Sequence, residues 1–289
     1  MNASISGFTF IRNGVSLGFP FEASIKSLLP LVDEFVIAVG YSEDDSLNRI
    51  KNIKDSKIKI IETKWNERMT DRGFVYAQQK MIAQFACTGE WAFYLEGDEL
   101  VHEAELETIR TSVNQHHTNS AVEALVFDYF HFYGAPDWLA VSPAWYRREC
   151  RLIRNTIRSY APDGQYWVSM SSHKRGRTLN AALANAHIYH YGHIRKLQYM
   201  QLKMDKVTKY WGGIPPKVDY RQIDVQALQR FTGSHPKQIA EWLVNEAESE
   251  FTPDPSHKLT SREKKHRIAM KLERLFGWDL SRKHYRLIA

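Results

Sequence analysis

Apolar residues fall in two rhythms along this chain. Up to about residue 120, short unbroken apolar runs alternate with segments whose apolar positions recur at helical spacing. Gly7-Phe-Thr-Phe-Ile-Arg-Asn13, Glu34-Phe-Val-Ile-Ala-Val-Gly40 and Trp91-Ala-Phe-Tyr-Leu95 are of the first kind. Such runs predict strands covered on both faces. Lys57–Glu62 alternates and predicts one more strand. Between them, 21–29, 46–53, 71–88 and 101–114 read as helices, the third stopped by Gly89. Strands alternating with helices predict an α/β fold built of βαβ units, with a mostly parallel central sheet and helices on both faces.

After residue 120 the rhythm changes. Residues 122–133 and 145–154 predict two long strands, joined by a loop at Gly134-Ala-Pro-Asp-Trp138. Residues 155–185 read as loop-rich, 186–192 as strand and 195–211 as a helix ended by Gly212-Gly213. A further helix at 236–250 precedes a Pro-Asp-Pro break, and the tail is helical again. The expected organisation is one domain over 1–240, with a nucleotide-binding half (1–120) and an acceptor half (121–240). A helical, basic C-terminal extension follows over 241–289.

Composition changes this picture little, but charge does. The 289 residues are 43% hydrophobic, enough for a full core, and no run approaches the roughly 18 apolar residues that span a bilayer. The first residues show no basic-then-apolar secretory pattern, and Cys87 and Cys150 are too few for a disulfide framework. A reducing, cytoplasmic setting is the expectation. Residues 256–289 hold ten Lys/Arg against three Asp/Glu, so the remainder sums to −1 of the total +6. Basicity confined to a tail argues against a nucleic-acid-binding face.

Candidate chemistry concentrates in Trp91-Ala-Phe-Tyr-Leu-Glu-Gly-Asp-Glu99. Ligands of open α/β sheets sit at the carboxyl ends of strands, where this run ends. If extended geometry continues, Glu96 and Asp98 project to one side, with Gly97 leaving backbone access between them. Converging acidic oxygens at a strand end suit a hard divalent cation shared with phosphates. The same residues also read as an acidic turn before a helix, where Glu99 and Glu103 suit the dipole.

Together, Phe8–Asn13, Val36-Ile-Ala-Val-Gly-Tyr-Ser-Glu-Asp-Asp45 and Thr88–Glu99 resemble family 2-type glycosyltransferases, which have the GT-A (Rossmann-like) fold. Ile188-Tyr-His-Tyr-Gly-His-Ile-Arg195 and Phe231-Thr-Gly-Ser-His-Pro236 look like segments of a bacterial subset associated with surface polysaccharide assembly. The resemblance covers about residues 7–240. It implies transfer of a sugar from a nucleotide-sugar donor to a saccharide or lipid-linked hydroxyl, with inversion, using Mg2+ or Mn2+. Glu96-Gly97-Asp98 stands for the family's Asp-x-Asp, with Glu96 as the departure. The metal set it implies is Asp98, Glu96 and His190, with His193 second.

In the same reading Asp44 and Asp45 meet the nucleotide or cap the helix that follows, and Arg12 and Asn13 face the nucleotide crevice. Arg72 and Arg195 are phosphate candidates, against a helix-start turn and a helix surface. Asp163 is the expected general base and Glu149 the runner-up, ahead of Asp128 and Asp137. Tyr166 and Trp167 offer a sugar-stacking face, while Pro162-Asp163-Gly164 is equally a turn.

Two other readings compete. A sugar-nucleotide nucleotidyltransferase would want a basic Gly-rich loop after the first strand, where Asn13-Gly-Val-Ser-Leu-Gly18 has no basic residue. A catalytically silent sugar-nucleotide-binding module has Glu96 in its favour. The tail is either a basic amphipathic helix on an anionic membrane surface, with Leu272, Leu275, Phe276 and Trp278 as its apolar edge, or a docked helix with a solvated basic face.

Overall fold

The computed structural model describes residues 3–170 and 176–288. Its first half is the expected series: β1 (Ile5–Ile11), α1 (Phe21–Leu28), β2 (Glu34–Gly40), α2 (Ser46–Lys51), β3 (Ile58–Thr63), α3 (Phe74–Phe85), β4 (Trp91–Tyr94) and α4 (Leu106–His117). β3, β2, β1 and β4 lie side by side, all parallel. Alternation along β2 explains its unbroken apolar run. Phe35, Ile37 and Val39 pack with Ile25 and Leu28 of α1, Ile50 of α2 and Ile109 of α4. Val36 and Ala38 pack on the opposite face with Ala77 and Ala83 of α3. The sheet therefore has helices on both faces.

The second half is largely antiparallel. β6 (Ala124–Tyr133), β7 (Ala135–Ala140) and β8 (Arg148–Arg154) extend the sheet, with β8 antiparallel to β4. Gly134, at φ 73°, turns the chain directly from β6 into β7, so the expected loop at 134–138 is strand instead. Short strands β9 (Ser159–Tyr160), β10 (Val168–Met170) and β11 (Gly176–Arg177) form a small separate sheet. β12 (Leu179–His193) is far longer than the expected strand at 186–192 and runs parallel to β6. Next come α5 (Leu197–Val207), edge strand β13 (Leu228–Arg230) and α6 (Ala240–Asn245). α7 (Ser261–Phe276) carries a Thr260–Glu263 capping box and ends at Gly277. The tail is not a separate appendage, because β14 (Tyr285–Leu287) re-enters the sheet beside β12. Among the described residues no helix is long and apolar enough to cross a membrane.

Extended geometry does not continue past β4. Thr9 donates its hydroxyl to the Leu95 carbonyl (2.6 Å), and Glu99 N closes a turn on Glu96 O (3.0 Å). The turn then pairs as β5 (Glu99–Leu100) with β12, setting Glu99 opposite His190, while Tyr191 N donates to Asp98 O (2.8 Å). This register carries the acidic turn to the histidines of β12.

Candidate active site

The carboxyl ends of β1 to β4 open into a cleft of about 800 Å³. Arg12, Asn13, Tyr41, Glu43, Lys64 and Trp65 line it from the ends of β1, β2 and β3. Glu96, Gly97 and Asp98 line it from the turn after β4. His131, Trp145, Tyr146, His190 and His193 contribute an aromatic wall, and Lys203, Lys206, Lys209 and Trp211 come from α5 and the turn after it.

Glu96 and Asp98, expected to converge, have separate partners. Asp98 is 1% exposed; its Oδ2 accepts from Arg195 Nη2 (2.6 Å) and Lys203 Nζ (3.4 Å), while Oδ1 has no hydrogen-bond partner. Burial raises its pKa, but Lys203 and Arg195 outweigh that and hold it well below the usual range. Glu96 turns to Arg151, which donates Nη2 to its Oε1 (3.0 Å). Burial and the Glu99 charge push the Glu96 carboxyl up to about 8, against the pull of Arg151. Glu96 is therefore not placed as a second metal donor, because its carboxyl belongs to the Arg151 network.

Arg151 is fully buried and forks onto Glu99 with two 2.8 Å bonds, and Tyr129 Oη donates to Glu99 Oε1 (2.9 Å). Glu99 Oε2 in turn accepts from Glu96 N (3.0 Å). This ion pair braces the acidic turn from behind.

The tautomers of the aromatic wall follow from its hydrogen bonds. The Tyr146 carbonyl can only accept, so His131 carries its proton on Nε2 (2.7 Å to that oxygen). His131 Nδ1 then accepts from His190 Nδ1 (2.9 Å). Burial lowers the His190 pKa, despite the opposing pull of Asp98 and Glu99. Neutral His190 therefore aims a lone pair from Nε2 at Asp98 Oδ1, 3.9 Å away. Two acceptors face each other with no donor between them. A Cβ on Gly192 would stand 2.5 Å from His190 Nε2 and 3.0 Å from Asp98 Oδ2, so glycine keeps this space open. An anionic oxygen beside an imidazole lone pair suits a divalent cation. The fit is with two protein donors, since no group of three or more His, Cys, Asp or Glu is poised for a metal among the described residues.

The other sequence candidates divide. Arg12 lines the cleft, stacks over Trp65 (5.1 Å) and pairs with Glu67. Asn13 lines it too, with φ 53°, and joins the strand ends by accepting from Glu43 N (2.9 Å). Asp44 is instead a staple that accepts from Ser16 N (2.7 Å) and Ser46 N (3.0 Å), and Asp45 bonds Asn48 (2.8 Å); Glu43 is the cleft residue of this cluster. Arg72 is exposed, at φ 43°, outside the cleft lining. Arg195 does not line the cleft. It is fully buried behind Asp98, also donating to Leu17 O (2.9 Å), and of the two cations on Asp98 it is Lys203 that lines the cleft.

The expected bases are elsewhere. Asp163 accepts from Gln165 N (2.7 Å) and so builds its own turn, leaving Gly164 and Gln165 at the cleft. Glu149 is fully buried against His284 Nδ1 (2.5 Å), away from the cleft. Asp128 pairs with Arg148 (2.6 Å) and Asp137 with Arg230. Tyr166 stacks on His284 and Trp167 is buried with Lys80 over its ring, and neither lines the cleft.

No protein-family model matches the chain, and no curated protein matches it. Several solved structures are similar in part. One is S. aureus TarS, at 11% identity over 70% of this chain and 40% of that chain, TM-score 0.38. Another is residues 1–349 of S. aureus TarS in complex with UDP-GlcNAc, at 14% identity over 53% and 45%, TM-score 0.35. A third is glucosyl-3-phosphoglycerate synthase from Mycobacterium tuberculosis with Mn2+, UDP and phosphoglyceric acid, at 16% identity over 45% and 43%, TM-score 0.31. The chain spans less than half the length of these solved chains.

Proposed function

We propose that this chain is a glycosyltransferase that moves a sugar from a nucleotide-sugar donor to a hydroxyl acceptor with inversion. The observation that carries the reading is the pair of facing acceptors, Asp98 Oδ1 and His190 Nε2, in a cleft at the carboxyl ends of parallel strands. That is where an open α/β sheet holds a nucleotide. Arg12, Asn13, Glu43 and Trp65 offer the nucleoside end hydrogen-bonding groups and an aromatic face. Lys203 and Lys206, one turn apart on α5, bring positive charge to the diphosphate. A divalent Mg2+ or Mn2+, held by Asp98 and His190, would supply Lewis-acid neutralisation of the leaving diphosphate.

Trp145, Tyr146 and His193 form the wall on which a saccharide acceptor would lie. As the acceptor oxygen bonds the anomeric carbon, the bond to the diphosphate breaks and its electron pair leaves on the nucleoside diphosphate. The hydroxyl proton goes to the ionised form of Glu96, whose share grows as pH rises toward about 8. Of the carboxylates lining the cleft, Glu67 is bound by Arg12, Lys209 and Tyr210, and Asp98 by Arg195 and Lys203. Glu43 stands at the nucleoside end, which leaves Glu96, held by Arg151 through Oε1 and with its side chain 32% exposed. Thermal-shift screening of UDP-, GDP- and dTDP-sugars, with and without MnCl2, tests the reading. Stabilisation by one nucleotide class supports it, and none by any class contradicts it. Turnover of that donor separates a transferase from a silent binding module.

A further inference from the structure

α7 is amphipathic in the reverse sense. Its inward contacts are ionic: Arg267 forks onto Asp224 (2.7 and 2.7 Å), and Glu273 receives Arg147 (2.6 and 2.7 Å). None of its sixteen residues is buried. Its Ala269, Met270 and Leu272 are half-buried, while Ile268, Leu275 and Phe276 are exposed. Ile268 is 61% exposed and Leu275 75%, continued by Phe276 and Trp278, whose rings stack at 4.6 Å. Lys264, Lys265, Lys271 and Arg274 are interleaved with them and are exposed as well.

We propose that this outer face docks on an anionic bilayer and brings a lipid-carried acceptor to the cleft. Only the acceptor clause rests on the transfer reading above. Exposed aromatic and aliphatic side chains among lysines are what an interfacial helix presents to acyl chains and anionic headgroups. Charge selects this occupant. The tail segment 256–289 carries net +7 while the rest of the chain sums to −1, so a second copy meeting it face to face would bring like charge. Placement links the face to the site. Arg147, which anchors α7 through Glu273 and also contacts Asp279, directly follows Tyr146, and Trp145 and Tyr146 line the cleft. Arg147 thus joins the aromatic wall assigned to the acceptor to the inner side of α7.

Co-sedimentation with phosphatidylcholine vesicles, with and without about one-third phosphatidylserine, tests this on the full chain. Binding to the anionic vesicles should be at least about 10-fold tighter and should weaken with salt. K264E/K265E/K271E and L275S/F276S/W278S should each weaken it by about 10-fold or more, with unchanged circular dichroism, since every substituted side chain is exposed. Equal binding to both vesicle types, wild-type binding by both variants, or self-association abolished by L275S/F276S/W278S would overturn the proposal. UDP, GDP and dTDP binding, read on the same samples, isolates the transfer reading: it fails if nucleotide binding is absent while vesicle binding persists.

Discussion

Asp98 Oδ1 and His190 Nε2 stand 3.9 Å apart, and Oδ1 has no hydrogen-bond partner. Both are fixed from behind, Asp98 by Arg195 on its other oxygen and His190 by His131 on its other nitrogen. Holding an imidazole by its second nitrogen sets tautomer and ring orientation before any ligand arrives. The arrangement is 92 residues apart in sequence and exists because β5 pairs with β12.

Arg151 is the brace of the acidic turn, so R151M leaves the Glu99 carboxylate buried without its counterion. Loss of one partner from such a pair costs about 3–5 kcal/mol. For a chain of this length that lowers Tm by on the order of 10 °C. Differential scanning calorimetry checks this, and a Tm within a degree or two of wild type would refute the brace. R151K, which keeps the charge but not the fork, should fall between.

E96Q and D163N separate the two base assignments. If Glu96 takes the proton, E96Q should lower kcat by about 100-fold or more with little change in donor KM. D163N, which alters a turn, should stay within about three-fold of wild type. The opposite ranking in steady-state kinetics would return the role to Asp163.

Much of the first half was legible because its runs are buried on both faces, and Phe35–Val39 reads as strand from hydrophobicity alone. The acidic stretch was legible as a site, but its geometry was not, since the Thr9 hydroxyl that ends β4 acts from another strand. Arg151 carries a signal in the sequence, an arginine set among Cys150, Leu152 and Ile153 in the buried middle of β8. Lys203 carried none, because its bond to Asp98 spans 105 residues. Tyr166 and Trp167 look like a binding face in sequence, yet Trp167 is core because Gln84 accepts its Nε1 proton (2.8 Å) and Lys80 lies over its ring. Glu43 rather than Asp44 lines the cleft through a single local choice, the hydrogen bonds Asp44 makes to Ser16 and Ser46.

At the opposite end of the sheet, Glu34 sets an acid limit on stability. Burial raises its pKa, but bonds from Lys59, Ser6 Oγ (2.6 Å), Thr88 N (2.5 Å) and Thr88 Oγ1 (2.9 Å) outweigh that and bring it to about 2. A depressed carboxylate contributes stability that is present above its unfolded value, near 4.5, and lost as pH falls through about 2. Wild type should therefore exceed E34Q by on the order of 2–3 kcal/mol at pH 6, the gap closing between pH 4.5 and 2. Urea unfolding across that range measures it. A gap unchanged at pH 2.5 would contradict the assignment.

The facing acceptors are tested most directly by calorimetric titration of Mn2+ with the nucleoside diphosphate that binds best, using wild type, D98N and H190A. Mn2+ should tighten nucleotide binding to wild type by about 10-fold or more, through charge it shares with the diphosphate. In D98N and H190A that gain should vanish, while metal-free nucleotide binding stays within a few-fold of wild type. A D98N protein that gains as much from Mn2+ as wild type would contradict the site.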